Sequence, residues 1–139
     1  MSERRNLANG FAALLLLGAG ANVNAQQAER IPHIGLTGDD LDACLSVGEV
    51  SGLYPRGDNF LTVRAEPRAT ARAKDRLGPG RWIWLCDEAG EWLGVVYSAD
   101  PGEKPGDCGV GTPAARVRPY DGPCRWGWVH SRYVEVVAG

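Results

Sequence analysis

Four cysteines, two histidines and a few carboxylate pairs are the groups in this 139-residue chain that could do chemistry. The cysteines are Cys44, Cys86, Cys108 and Cys124. No two of them stand about two to four residues apart, the spacing that makes a zinc knuckle. An even number in a small chain instead argues for a disulfide framework, and four cysteines allow three pairings. Of the histidines, His33 lies in a polar stretch and reads as a solvated linker residue, whereas His130 falls within the patterned part of the chain. Asp39-Asp40 and Asp87-Glu88 are adjacent carboxylates in polar loop contexts. Such neighbours are far more often a solvated surface than an acid and base flanking a substrate. No Gly-x-Ser-x-Gly elbow occurs, and Gly78-Pro79-Gly80 lacks the Lys-Ser/Thr that completes a phosphate loop. The residue types therefore point to no catalytic set, no metal and no cofactor, and the expected activity is binding or scaffolding.

The elements that must position these residues begin after an address segment. Arg4 and Arg5 precede an apolar run, Phe11 to Leu17, and small residues lead to Val23 and Ala25. That is the pattern of a signal peptide over residues 1–25, cut after Ala25. The apolar run is much shorter than the roughly 20 residues of a spanning helix. The protein is thus expected in the periplasm or outside the cell, as a monomer with no membrane span after processing. The net charge of −2 and the absence of a basic block along the chain speak against a nucleic-acid partner. Residues 26–42 are polar and read as a flexible leader.

From residue 43 to 139 the pattern is one of short strands punctuated by Gly, Pro, Asn and Asp. Strand character is concentrated in Cys44 to Val50, Phe60 to Arg64, Arg81 to Cys86, Trp92 to Tyr97, Trp126 to His130 and Tyr133 to Val137. Ala73 to Leu77 reads as a further short strand in preference to a helix, because Pro67 and Gly78-Pro79-Gly80 bracket the segment. Residues 81–98 make the clearest hairpin, with Ile83 and Leu85 on one face and Trp82, Trp84 and Cys86 on the other. The expectation is an all-β fold, a small barrel of five to six short strands. Residues 99–124 interrupt it with a long insert poor in apolar residues. Loops of that length are uncommon unless stapled or functional. Cys108 and Cys124 are placed to staple it, which leaves Cys44 to pair with Cys86.

Three segments then resemble a known family. Phe60-Leu61-Thr62-Val63-Arg64-Ala65-Glu66-Pro67 is similar to the L-x-V-R-x-x-P opening of bacterial SH3 domains. Gly90-Glu91-Trp92-Leu93-Gly94-Val95 is similar to their G-G-W-x-x-V hairpin, with Glu91 in place of the second glycine. Gly127-Trp128-Val129-His130-Ser131-Arg132-Tyr133-Val134 is similar to the closing G-W-V-x-x-x-Y-L/V. The motifs occur in family order and span about residues 43–137. The insert at 99–124 departs from the family, which has a short turn there.

The resemblance implies an SH3-like barrel with an aromatic groove for an extended peptide. Its positions would be Tyr54, Asn59, Trp92, His130 and Tyr133. Peptidoglycan peptide is the implied first ligand, with an envelope protein as the other partner. Trp128 reads as core. Trp84 is expected to pack on the first strand beside a Cys44–Cys86 bridge, with an exposed aromatic anchor as the alternative, and Trp126 is a candidate exposed aromatic facing outward beneath the insert. The competing expectation is a small secreted inhibitor, toxin or structural factor that acts through the insert loop.

Overall fold

The structure, a computed structural model, describes Gly18, residues 28–38 and residues 40–139. The cleavage point after Ala25 and the Asp39 half of one carboxylate pair lie outside the described residues. No helix among the described residues is long and apolar enough to cross a membrane.

The chain is all-β. Its strands are β1 (His33–Ile34), β2 (Ser46–Val50), β3 (Leu61–Arg64), β4 (Ala73–Leu77), β5 (Trp82–Ala89), β6 (Trp92–Tyr97), β7 (Arg118–Pro119), β8 (Arg125–His130) and β9 (Val134–Ala138). A 3-10 turn, Ser131–Tyr133, joins β8 to β9. Seven strands form one antiparallel sheet in the order β4-β3-β8-β6-β5-β2-β9, and β1 pairs with β7 in a separate ribbon. The seven segments with strand character in the sequence are the seven strands of this sheet, one or two more than the five to six of the expected barrel; β1 and β7 lie outside them. Ala73 to Leu77 is a strand, as the bracketing Pro and Gly residues imply.

Both faces of this sheet are covered. On the inner face Val50 of β2, Val63 of β3, Leu77 of β4, Ile83 of β5, Val95 of β6 and Val129 of β8 share one core. Strands near opposite ends of the order reach the same cluster, so the sheet is coiled around it. Backbone bonds from Val50 N–H to Arg81 O (2.9 Å) and from Gly80 N–H to Val50 O (2.8 Å) tie β2 to the turn before β5. On the outer face Ile34, Cys44, Cys86, Val96, Val110 and Tyr120 form a second core, with Trp84 and Trp126 packed against it. That is why β6 reads Val95-Val96-Tyr97 without alternation: Val95 and Tyr97 point inward, Val96 outward, and all three are buried.

A register shift in the β5–β6 hairpin sets up the outer layer. Leu85 pairs with Val95 and Asp87 with Gly94, so Cys86 is the extra residue of a bulge. The bulge resets the alternation: Cys86 joins the outer core, and Asp87 lies against Gly94 on the same face. There Asp87 accepts the His33 N–H (2.8 Å). The hairpin closes through Gly90-Glu91, with Gly90 at φ +60°, a conformation that favours glycine.

The segment expected to be a flexible leader packs onto the sheet from residue 28. Arg30 N–H bonds Ala65 O, and Tyr120 N–H bonds Pro32 O (both 2.9 Å). Ile34 is fully buried. The segment's ends are polar, but Ile31, Pro32, Ile34 and Leu36 between them supply apolar surface, and Pro32 sits over Gly94, where a side chain would collide with it. His33 is accordingly partnered by Asp87 and is no free linker residue.

Trp128 is buried for a different reason from the one expected. It alternates with Val129 and so faces outward, yet its exposure is 0%. The strap, the segment around Arg30 to Ile34, covers it: the Trp128 Nε1–H donates to Arg30 O (2.7 Å), and the Arg30 guanidinium stands 5.0 Å from the Trp128 ring centre. At Gly127 two strands approach closely, since a Cβ there would meet Val63 and the Arg64 carbonyl.

The disulfides are Cys44–Cys86 and Cys108–Cys124, with Cα separations of 4.5 and 5.3 Å. Among the described residues no cysteine is free. Two such bonds suit an oxidising compartment. Within the stapled insert the Tyr120 hydroxyl donates to Cys108 O (2.9 Å) and accepts the Cys124 N–H (3.0 Å). The long loop therefore carries its own small polar centre above the outer core.

Candidate binding groove

At one end of the outer face, beyond the strap, lies a groove of about 420 Å³. Its floor is β3, β8 and the start of β6. Leu61 and Val63 turn inward, so Thr62 and Arg64 are presented outward and line it. His130 follows Trp128 by two residues along β8 and shares its outward face, and it stands opposite Trp92 in register. Tyr133 comes from the 3-10 turn, and Tyr54, Asp58 and Phe60 from the loop between β2 and β3. Leu53 packs against the inner core, so the chain presents Tyr54 to solvent with 79% of it exposed.

Three rings are stacked edge to face. Trp92 and His130 have centroids 5.4 Å apart at 73°, and His130 and Tyr133 are 6.2 Å apart at 63°. Such geometry aligns ring edges with ring faces and adds about 0.5–1.5 kcal/mol per pair beyond burial. The His130 ring is also held at both nitrogens. Nδ1 accepts the Arg132 N–H (3.1 Å), and Nε2 lies 3.3 Å from Glu91 Oε2. A neutral ring must therefore carry its proton on Nε2 and donate it to the carboxylate. Ser131 N–H to Glu91 O (2.8 Å) locks the hairpin turn to the 3-10 turn. Phe60, on the far side, is covered by the Arg76 guanidinium at 4.5 Å.

Four of the five residues expected to form a groove thus line one cavity: Tyr54, Trp92, His130 and Tyr133. Asn59 does not line it. Its neighbours Asp58 and Phe60 do, and Asn59 is exposed to solvent. Asp58, Phe60, Thr62, Arg64 and Leu53 were not singled out from the sequence. For Thr62 and Arg64 the signal was present in the alternation of β3.

Trp84 packs against the outer core that holds Cys44 and Cys86, and neither it nor Trp126 is an exposed anchor. Both are half-buried against the outer core, and Trp84 Nε1–H donates to Gly106 O of the insert (3.1 Å). No residue of 99–124 lines the groove. The insert therefore extends the fold on the outer face and leaves the aromatic groove open.

The groove offers stacking surfaces with a few polar groups, Asp58, Arg64 and the fixed His130–Glu91 pair, at its sides. It contains no nucleophile hydrogen-bonded to a base. Among the described residues no group of three or more His, Cys, Asp or Glu is placed to hold a metal ion. No family model, curated protein or solved structure matches this chain, so the reading of the groove rests on its own geometry.

Proposed function

We propose that this protein is an exported, non-catalytic binding module related to the bacterial SH3 domains, and that its aromatic groove takes an extended peptide of the cell wall. The observation that carries the reading is the Trp92–His130–Tyr133 stack with Tyr54 at the mouth of the same cavity. Rigid rings with a polar tip give large contact area at small entropic cost, which is how extended peptides are held in aromatic-lined grooves. The two disulfides and the signal-like residues 1–25 support export.

The test is sedimentation with purified peptidoglycan and calorimetry with stem peptides. Wild-type protein binds, and Tyr54→Ala and Tyr133→Ala each weaken binding about 30-fold or more, the loss typical of an aromatic hot spot. Tyr54 is exposed, so its removal leaves the melting temperature unchanged. A folded wild-type protein that binds neither sacculi nor stem peptides defeats this reading.

A further inference from the structure

A second surface, built from β4, the turn before β5, the insert and β8, collects positive charge that the sequence disperses. Two adjoining pockets of about 400 and 510 Å³ share Asp75 and Arg125. Lys74 and Trp126 line the first, and Arg76, Arg81 and Lys104 line the second. Five cations thus converge in a chain whose net charge is −2. Among the described lining residues the one carboxylate is Asp75, and it is engaged by the Tyr97 hydroxyl (2.9 Å) and by Arg125 (3.2 Å). Nearby acids have partners of their own, although Glu29 also attracts Lys74. Asp100 accepts Gly102 N–H (2.8 Å), Glu103 lies against Gly106, and Glu29 pairs with Arg72. Glu49 approaches Gly80 at the rim.

The cations are also held in place. The Arg81 guanidinium bonds Ser98 O and lies 5.6 Å from the Tyr97 ring centre. Its Nε is buried with no partner, so the group is partly desolvated and incompletely satisfied. Arg76 sits on Phe60, Lys104 lies 5.8 Å from the Trp82 ring, and Lys74 Nζ is 2.9 Å from the Trp126 ring centre and bonds Trp126 O (2.8 Å). Positioned cations lose less freedom when an anion arrives than free surface lysines do.

We propose that this face binds a polymer bearing closely spaced phosphate groups. Each internal phosphate of such a polymer keeps a negative charge and two non-bridging oxygens at neutral pH, so successive groups can meet the arginine and lysine side chains that four separate segments bring to these pockets. The cations also spread over two adjoining pockets, more than one anionic group can fill.

The test uses the full protein and inorganic polyphosphate, followed by calorimetry and by quenching of tryptophan emission. Binding is expected at about 50 mM salt and should weaken about tenfold or more at about 200 mM, as a screened multi-charge contact does. Lys104→Glu/Arg125→Glu should lose at least tenfold in affinity. Arg76→Ala/Lys104→Ala, which leaves the Asp75 pairs intact, should show a smaller loss in the same direction, and Tyr54→Ala should show none. The proposal is overturned if polyphosphate fails to bind at low salt, or if both double variants bind like wild type. It is equally overturned if polyglutamate of matched charge or single orthophosphate binds as tightly, or if single-stranded DNA binds more tightly.

Discussion

Cutting the staple of the insert tests how the outer layer is held. The Cys108–Cys124 bond closes a loop of sequence separation 16. In the chain-entropy account a crosslink of that span removes unfolded-state freedom worth about 3 kcal/mol. The Cys44–Cys86 bond, with a separation of 42, is worth about 4 kcal/mol on the same scale. Cys108→Ala/Cys124→Ala should therefore unfold at a urea midpoint lower by about 2 M, for a slope near 1.5 kcal/mol/M. Tyr120 supplies an independent hold, because its hydroxyl bridges Cys108 O and Cys124 N–H. The native insert should accordingly stay docked without the bond, with Trp84 and Trp126 emission unchanged below the transition. The groove shares no residue with the insert, so peptide binding should also persist. A loss below about 1 kcal/mol would refute the unfolded-state argument. A red-shifted native spectrum would show that the covalent bond, and not the packing, keeps the insert on the sheet.

Two further predictions concern the outer face. Trp128→Phe removes the bond to Arg30 O and strands a carbonyl, which should cost about 1–2 kcal/mol and speed amide exchange at Arg30 and His33 ahead of the sheet; exchange that accelerates only globally would show that the strap is not a separate unit. Burial lowers the Lys74 pKa to about 8 against the opposing pull of Glu29, so tryptophan emission should titrate near pH 8 and lose that step in Lys74→Met. Because the folded pKa lies below the ordinary lysine value of 10.5, the unfolded chain holds more protons between about pH 8 and 10.5. Stability should rise across that window in wild type relative to Lys74→Met, and a flat difference would contradict the assignment.

Asp75 illustrates the opposite sign. Burial pushes its carboxyl up, but the Arg76 N–H, the Tyr97 hydroxyl and Arg125 outweigh that and hold it below its ordinary value. Its contribution is present above the usual carboxylate range and fades as the pH falls through the lowered folded value. The Tyr97 phenol is pushed up, first by burial and then by the Asp75 charge, so it remains a donor at neutral pH.

What the sequence disclosed depended on whether a feature was local. Strand periodicity in β3, the Gly90 turn and the stop signals around β4 are short-range, and the structure follows them. The pairing of the cysteines was legible because a long apolar-poor loop needs a closure. The strap was missed although Ile31, Pro32, Ile34 and Leu36 stand in or beside it: its flanks Gln26-Gln27 and Thr37-Gly38-Asp39-Asp40 are polar, and its seat over Gly94 and Trp128 is made by strands that lie far along the chain. Alternation correctly placed Trp84 opposite Ile83 but could not reveal that the insert would cover it. The Cys86 bulge was invisible for a related reason, since an extra residue declares itself only against a partner strand. In the groove, the aromatic positions Tyr54, Trp92, His130 and Tyr133 were nominated through motif resemblance. Thr62 and Arg64 follow from simple alternation once β3 is placed. The basic face was hidden because its five cations come from four separate segments.

The order in which the cysteines pair has a consequence for biogenesis. Cys44 joins Cys86, and Cys108 joins Cys124: first with second, third with fourth. At roughly 5–20 residues per second of synthesis, the second cysteine emerges several seconds before the last one exists. A chain delivered from its amino end into an oxidising space therefore meets its correct thiols in turn. On such a route pairing in chain order calls for no exchange between bonds already made.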